Sequence, residues 1–279
     1  MTVNKMKNTI RLTAAALAAF ALVLPSHAET KPLKALLITG GCCHDYKVQK
    51  DILKKGIEER ANIIVDQIHT DSDSTEPDLP IYGMPEYAKG YDIVIHAECA
   101  ADIKDDAVVK GVLAPHKAGI PGVNLHCAMH SYRIGNPGEE VKELGTPHSQ
   151  WFEFLGLQSS GHGPQKPISI AFVDKAHPIT TGIADWTTID EELYNNVKVF
   201  DTAHTLATGT QEGSKEAVVV WTNDYNGTKV FNTTIGHNNE TIADARFLDL
   251  VTRGILWACG KIDEKGGIAD GYGLENVKE

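Results

Sequence analysis

Several strand-like apolar runs in this chain end in histidine. Three of them lead to His44, His126 and His237, and a fourth stops at His96. In an open α/β sheet, ligands bind in the crevice outside the carboxyl ends of the strands. If these runs pair in parallel, several imidazoles reach one edge, and imidazole is both the side chain that titrates near neutrality and the commonest metal ligand. The pattern therefore predicts a histidine-based site at that edge.

The first of these segments combines glycines with polar residues. Gly41 allows a sharp turn and close approach of a ligand to the backbone, so it is a candidate for substrate binding. His44 follows as a candidate catalytic group or metal ligand, because the loops at strand ends carry sites. Asp45, at the entrance of the next helix, either contacts substrate or caps that helix.

The second segment contains two histidines that flank a cysteine. His126 and His130 are four residues apart and share a face of a helix, as metal-ligand pairs do. We expect His126 to be catalytic or a metal ligand and His130 to bind substrate. The alternative is that His130 is a solvated first-turn residue and Cys127 a small buried hydrophobe.

The third segment ends at His237, which is the strongest single candidate. Gly236 before it indicates a close approach of backbone or ligand. Glu192 is a candidate carboxylate ligand or general base. His162 lies in a glycine-rich segment that we expect to be a flexible loop over the site.

These residues together suggest a metal centre. Three neutral histidines, His44, His126 and His237, with a carboxylate and an open water position, would form a hydrolytic or lyase-type site for a divalent ion such as Zn²⁺. No Walker-type loop, dinucleotide fingerprint or Cys-x-x-Cys motif is present, which argues against nucleotide-binding and zinc-finger interpretations.

The amino terminus predicts export. A basic start is followed by an apolar stretch, Leu12 to Leu24, and by a small-x-small motif at Ser26-His27-Ala28. We therefore expect residues 1–28 to be a signal peptide, the protein to be periplasmic or secreted, and no membrane span to remain after cleavage.

Charge and cysteine content narrow the partners. The formal net charge is −11, and no Lys/Arg-rich run is present, which argues against nucleic acid and anionic membranes and favours a small-molecule ligand. There are five cysteines. We expect the neighbours Cys42 and Cys43 not to pair with each other, Cys259 to be a core residue, and at least one thiol to stay free.

Strand and helix signals alternate through the first half of the chain. This alternation predicts an α/β fold with a doubly wound, mostly parallel sheet. The second half adds strands, including a hairpin around Asn226-Gly227. We expect one domain over residues 29–262 and a loose tail over residues 263–279.

Four blocks of sequence then point to a family. They are Leu37-Ile38-Thr39-Gly40-Gly41 with His44-Asp45, His177-Pro178-Ile179-Thr180 leading to Asp190-Glu191-Glu192-Leu193-Tyr194, Val219-Val220-Trp221-Thr222 through Phe231 to Ile235-Gly236-His237, and Arg253-Gly254-Ile255-Leu256-Trp257-Ala258. With these blocks in this order, the chain resembles the ThuA-like, trehalose-utilisation family over roughly residues 33–262.

The resemblance implies both a fold and a substrate class. The fold would be flavodoxin-like, as in class I glutamine amidotransferases, with an added β-hairpin. The substrate would be a sugar or glycoside in carbohydrate catabolism, against which Trp221 or Trp151 could stack unless they are core residues. Two alternatives stay open. One is a cysteine hydrolase of amidotransferase type using Cys127, His237 and Glu240, and the other is a sugar-binding protein without chemistry.

Overall fold

The structure is a computed structural model that describes residues 1–2, 30–138 and 140–277. The predicted signal peptide therefore lies outside the described residues, apart from Met1 and Thr2, and export stays a prediction. No helix among the described residues is long and apolar enough to cross a membrane.

In the described part of the chain, nine strands form one sheet. They are β1 (Leu33–Gly41), β2 (Ile63–His69), β3 (Ile93–Cys99), β4 (Gly122–Leu125), β5 (Leu157–Phe172), β6 (Trp186–Val199), β7 (Ala203–Thr210), β8 (Ala217–Tyr225) and β9 (Thr228–Thr233). Across the sheet they follow the order β2-β1-β3-β4-β9-β8-β7-β5-β6.

The helices cover the two faces of this sheet. They are α1 (Tyr46–Glu58), α2 (Asp106–Lys117), α3 (Gln150–Leu155), α4 (Asn239–Ile242) and α5 (Ala245–Ala258), with 3-10 turns at His126–His130 and Leu274–Asn276. Along β1, Leu37 packs in the core that contains residues of α1 and α5, while Leu36 packs in the core that contains residues of α2 and α3. This two-sided packing is the doubly wound arrangement that the alternating signals predict.

The sheet is mixed, so the expectation of a mostly parallel sheet is wrong. Strands β2, β1, β3, β4 and β9 are parallel, in the order 2-1-3-4-5 typical of flavodoxin-like folds. The pairs β9-β8, β8-β7, β7-β5 and β5-β6 are antiparallel. Parallel neighbours need a crossover of a dozen or more residues, usually helical. The connections from β5 to β9 contain no helix among the described residues, and these strands pair antiparallel.

Strands β5 and β6 form a two-stranded ribbon that extends beyond the rest of the sheet. β5 pairs with β7 only over Ser169 to Phe172, whereas it pairs with β6 from Leu157 onward. Irregular register on both sides of His162 allows the ribbon to bend. The segment around His162 is therefore strand rather than the flexible loop expected from its glycines.

The cysteines also depart from expectation. Cys42 and Cys43 form a disulfide, so the expectation that these neighbours do not pair is wrong. The chain turns there, and Cys43 has a left-handed φ of 81°. Cys99, Cys127 and Cys259 are free thiols.

The residues after α5 pack against the domain. The side-chain amide of Asn62 donates a hydrogen bond to the carbonyl of Gly271 at 2.9 Å. Its backbone N–H donates another to the carbonyl of Tyr272 at 3.2 Å. The side chain of Arg253 reaches the carbonyl of Gly266. This segment is therefore held to the sheet edge and the last helix through residue 272.

Candidate functional site

Three histidine side chains meet at the carboxyl edge of the parallel strands. His44 follows β1, His126 follows β4 and His237 follows β9. The ring centroid of His44 lies 4.7 Å from those of both His126 and His237, and the latter two lie 5.4 Å apart. Each ring offers a nitrogen within 4.8 Å of the others. The structure thus brings the three predicted histidines into one cluster.

Left-handed backbone conformations let the chain leave these strands sharply. Gly41 has a φ of 98°, His126 of 46° and Gly236 of 127°. A left-handed φ is uncommon outside glycine, so its adoption by the bulky residue His126 is consistent with a functional position. The turn at each strand end directs the following or adjacent imidazole into the same space.

Glu192 completes the cluster from the opposite side. Its carboxylate lies 3.5 Å from Nε2 of His126, 3.5 Å from Nε2 of His162 and 3.4 Å from Nδ1 of His237. Burial raises the pKa of Glu192, but the contacts with His126 and His237 outweigh burial and hold that pKa well below its ordinary value. Glu192 is therefore ionised at neutral pH.

The hydrogen bonds of His126 define its tautomer. Its Nδ1–H donates to the backbone carbonyl of Thr234 at 2.6 Å, so in the neutral ring Nε2 carries the lone pair. Nε2 faces the carboxylate of Glu192 and lies 3.3 Å from the hydroxyl of Tyr194. A backbone carbonyl on the far nitrogen is the support that metal-bound histidines usually have.

Two imidazole nitrogens in the cluster are buried without a hydrogen-bond partner among the described residues. They are Nδ1 of His44 and Nδ1 of His237. The latter lies at an ion-pair distance from Glu192, too long for a well-formed hydrogen bond. Buried polar atoms are normally paired, so these nitrogens are available to bind a ligand such as a metal ion.

The charges of the cluster are uneven. Burial, followed by the neighbouring His126 and His237, lowers the pKa of His44 to about 2, so this ring is neutral. The interaction with Glu192 raises the pKa of His237. The cluster therefore contains one imidazole that stays neutral and one that readily takes a proton beside an ionised carboxylate.

A second carboxylate, Glu191, fixes the loop that carries His237. It is fully buried and accepts hydrogen bonds from the backbone N–H groups of Gly236, His237 and Asn238. Side chains alternate along a strand, so Glu191 and Glu192 leave β6 on opposite faces. Gln49 adds a hydrogen bond to the carbonyl of His237, at 2.9 Å.

His130 and His162 lie at the outer side of the cluster. The ring of Tyr194 stacks on that of His130 at 4.2 Å and on that of His162 at 5.7 Å. His130 is buried and hydrogen-bonds Ser159, and burial lowers its pKa. His162 is exposed, so it is the histidine of this stack that a ligand can reach from solvent.

The donor set suits a divalent ion. Zinc binds nitrogen at about 2.0–2.1 Å, which places tetrahedral ligands roughly 3.3 Å apart. The three histidine nitrogens lie within 4.8 Å of one another, so they would have to move closer together to share one ion. A cavity of about 10 Å³ adjoins His44 and His126. This volume corresponds to about one water molecule.

The remaining residues predicted to bind substrate make contacts that hold the fold together. Trp221 is fully buried and donates its indole N–H to the carbonyl of Leu155, and Trp151 is likewise core, so neither is placed to stack on a sugar. Asp45 is exposed and accepts a hydrogen bond from Asn239 rather than capping α1 with its side chain. At Gly41, a Cβ atom would lie 2.0 Å from the carbonyl oxygen of Cys99. That glycine is therefore required by the packing of β1 against β3.

The geometry does not favour the cysteine-hydrolase alternative. The residue with the strained conformation after β4 is His126, whereas Cys127 lies one position further on, in the 3-10 turn. The thiol of Cys127 contacts Cys99 at 2.6 Å. Glu240 is exposed on α4, and the carboxylate beside the ring of His237 is Glu192.

His96 does not join the cluster. It lies within β3, on the same face as Val94, and is fully buried. Its ring contacts Glu98 at 2.8 Å and His116 at 3.0 Å, and His116 donates to the carbonyl of Ile120. The run that stops at His96 therefore adds no imidazole to the predicted site of His44, His126 and His237. Side chains alternate between the two faces of a strand, so the position of His96 two residues after the apolar Val94 already indicated that its side chain points into the core.

Comparison with known proteins agrees with this architecture. The model of the ThuA family, described as trehalose utilisation, matches residues 34–258. A protein of known structure from Parabacteroides merdae ATCC 43184, described as ThuA-like, superposes with a TM-score of 0.62 at 22% identity, covering 83% of this chain and 92% of its own. A second, from Bacteroides uniformis ATCC 8492, gives 0.58 at 15% identity, covering 84% and 95%.

A third likeness concerns part of a larger enzyme. The β-galactosidase from Rahnella sp. R3 superposes with a TM-score of 0.50 at 15% identity, covering 79% of this chain but 30% of the enzyme. At such identities the superpositions show a common fold. Among curated proteins, none matches the sequence. Because the family model spans most of the chain, the chain belongs to the ThuA, trehalose-utilisation family.

Proposed function

We propose that this protein acts on a sugar or glycoside by metal-assisted hydrolysis or lyase chemistry at the histidine cluster. The observation that carries the proposal is the convergence of His44, His126 and His237 with two unpartnered buried nitrogens among them. Membership of a trehalose-utilisation family supports the sugar as the class of substrate.

The three histidines would hold a divalent ion such as Zn²⁺. A bound ion of this kind acts as a Lewis acid and lowers the pKa of a coordinated water to about 7. Glu192 is ionised and lies within 3.5 Å of two of these three histidines, His126 and His237, so it would serve as general base or as a fourth ligand. Glu191 and the carbonyl of Thr234 orient His237 and His126 without contacting the reacting atoms.

The sugar would lie on the open side of the cluster. The cavity next to the histidines holds about one water, so a sugar ring does not fit inside it. The open side presents His162, together with Gln165, whose amide lies 2.8 Å from Nε2 of His237. These groups can hydrogen-bond hydroxyl groups of a substrate while the scissile bond faces Glu192.

The test is metal content with a matched control. We expect wild-type protein, purified without chelators, to contain about one equivalent of a divalent metal, and His237→Ala to lose most of it. His204→Ala is the control, because His204 is an exposed histidine paired with Asp174 away from the cluster. Metal-free wild-type protein, or a His237→Ala protein with full metal, would favour a metal-free acid–base site or plain sugar binding.

We also propose that the protein is exported to the periplasm or beyond. The apolar stretch and small-x-small motif before Glu29 support cleavage after Ala28. Amino-terminal sequencing of protein from the native host should begin at Glu29. An intact Met1 on the mature protein would contradict export by cleavage.

A further inference from the structure

Four cysteines lie immediately beside the histidine cluster and take no part in the chemistry proposed above. Cys43 is exposed and Cys42 half-buried, and the two are joined by a disulfide. Cys99 and Cys127 are buried free thiols. Sγ of Cys99 lies 3.5 Å from Sγ of Cys42 and 2.6 Å from Sγ of Cys127. The sulfur atoms thus form a continuous series from the surface to the interior.

Strand pairing holds this series in place. Gly41 at the end of β1 pairs with Cys99 at the end of β3. Because Gly41 has no side chain, the two backbones approach closely, and the next residue along, Cys42, arrives beside Cys99. Cys127 is in the 3-10 turn that follows β4, the strand paired with β3. The contacts therefore arise from the core of the fold.

A purely structural role explains these cysteines poorly. In the chain-entropy account, a disulfide stabilises a protein according to the length of the loop that it closes. The Cys42–Cys43 bond joins sequence neighbours and closes no such loop. A buried cysteine that serves only as a small hydrophobe has no need of a second thiol and a disulfide within contact distance.

We propose that Cys42, Cys43, Cys99 and Cys127 form a thiol–disulfide exchange site, which passes an electron pair from the buried dithiol to the exposed pair and there reduces an external disulfide. This activity goes beyond the proposed sugar chemistry and does not depend on it.

The internal exchange has two balanced steps. The thiolate of Cys99 attacks Sγ of Cys42, so a Cys42–Cys99 bond forms, the Cys42–Cys43 bond breaks, and Cys43 leaves as a thiolate that takes a proton. The thiolate of Cys127 then attacks Sγ of Cys99, which forms Cys99–Cys127 and releases Cys42. The two protons lost by Cys99 and Cys127 equal those gained by Cys42 and Cys43.

The external step uses a disulfide as the oxidant. The reduced Cys43 attacks that disulfide, and Cys42 resolves the mixed disulfide, so Cys42–Cys43 forms again and the partner leaves as two thiols. The hydrogen bond from the Cys127 thiol lowers the pKa of Cys99, which favours Cys99 as the first nucleophile.

Disulfide mapping of Cys127→Ser tests the internal exchange. Without Cys127 the second step fails, so acid-quenched, alkylated protein should contain a Cys42–Cys99 link with Cys43 free. Cys259→Ser is the matched control, because Cys259 is the remaining free cysteine and lies after α5, and it should map as wild type. A Cys127→Ser protein with only the Cys42–Cys43 link would contradict the exchange.

A second measurement uses wild-type protein, so it tests the exchange even if the Cys127→Ser variant fails to fold. Incubation with glutathione disulfide in the presence of a chelator should release about two glutathione thiols per chain and leave Cys99 and Cys127 joined. The chelator removes any bound metal during the incubation, which separates this activity from the metal chemistry. If Cys99 and Cys127 remain alkylatable thiols after the incubation, the proposal is wrong.

Discussion

At the scale of single residues, the site is a set of imidazoles around one carboxylate. Glu192 contacts His126, His162 and His237, so its charge influences every titratable neighbour on the open side. His44, by contrast, is kept neutral by burial. This division gives the cluster a permanent negative charge and a neutral imidazole at the same time.

The lowered pKa of Glu192 predicts acid sensitivity. A carboxyl whose pKa is lower in the folded state contributes stability above its unfolded pKa, near 4.5, and loses that contribution as pH falls toward the folded value. We expect the Tm of wild-type protein to fall more steeply than that of Glu192→Gln between about pH 5 and pH 3. Thermal unfolding across this range measures the difference, and parallel curves would contradict it.

Metal binding should depend on pH through His237. The interaction with Glu192 raises the pKa of this ring, so protons compete with metal below a pH somewhat higher than the ordinary histidine value of 6.5. With one competing proton, zinc affinity should fall about tenfold per pH unit below that pKa. Titration calorimetry between pH 6 and pH 8 is the measurement, and a flat profile would argue against His237 as a ligand.

At the scale of elements, the ends of the parallel strands and the β5–β6 ribbon meet from opposite directions. The strands deliver His44, His126 and His237, and the ribbon delivers Glu192 and Tyr194. Glu191 ties the two parts together through three backbone N–H groups of the loop after β9. The site therefore depends on how closely β1 and its neighbours pack as well as on the side chains of the histidine cluster.

Gly41→Ala tests that close packing. The new methyl group would overlap the carbonyl of Cys99, and the φ of 98° is unfavourable for alanine, so we expect a loss of roughly 3 kcal/mol or more in the free energy of unfolding. Gly111→Ala is the matched control. Gly111 lies in α2 with open space around it, and alanine there should stabilise the protein by about 0.5–1 kcal/mol. Denaturant unfolding of both variants decides, and equal effects would contradict the packing argument.

At the scale of the whole molecule, the site links segments that are far apart in sequence. His44 and His237 come from opposite ends of the domain, and α1 carries Gln49, which binds the loop of His237. A ligand held by all three histidines would therefore stabilise the native arrangement as a whole.

Zinc should accordingly raise the Tm of the folded protein. An ion that binds the native state alone contributes about 2.7 kcal/mol at a hundredfold excess over its Kd. We expect a clear rise in Tm with zinc for wild-type protein and for His204→Ala, and little rise for His44→Ala. Differential scanning calorimetry with and without chelator is the check, and a zinc-dependent rise that survives in His44→Ala would place the ion elsewhere.

Much of this architecture is determined by local sequence pattern. Alternating apolar runs and helical periodicity specify the α/β class, and the breaks after them mark the ends of β1, β4 and β9. Carboxyl ends of parallel strands share an edge, so His44, His126 and His237 are predicted to be neighbours before any pairing is known. The Asn226-Gly227 turn likewise specifies the β8–β9 hairpin.

Only the tertiary structure decides the features that depend on lateral order and side-chain direction. The ribbon of β5 and β6 brings Glu192 to His126 across a sequence separation of 66 residues, a pairing that no local pattern encodes. Strand register decides three further features, because shifting a strand by one residue exchanges its two faces. These are the backbone hydrogen bonds to Glu191, the burial of Trp221, and the position of the His96 side chain in the core rather than at the edge of the sheet. The Cys42–Cys43 disulfide and its contact with Cys99 arise in the same way, from the pairing of β1 with β3 in three dimensions.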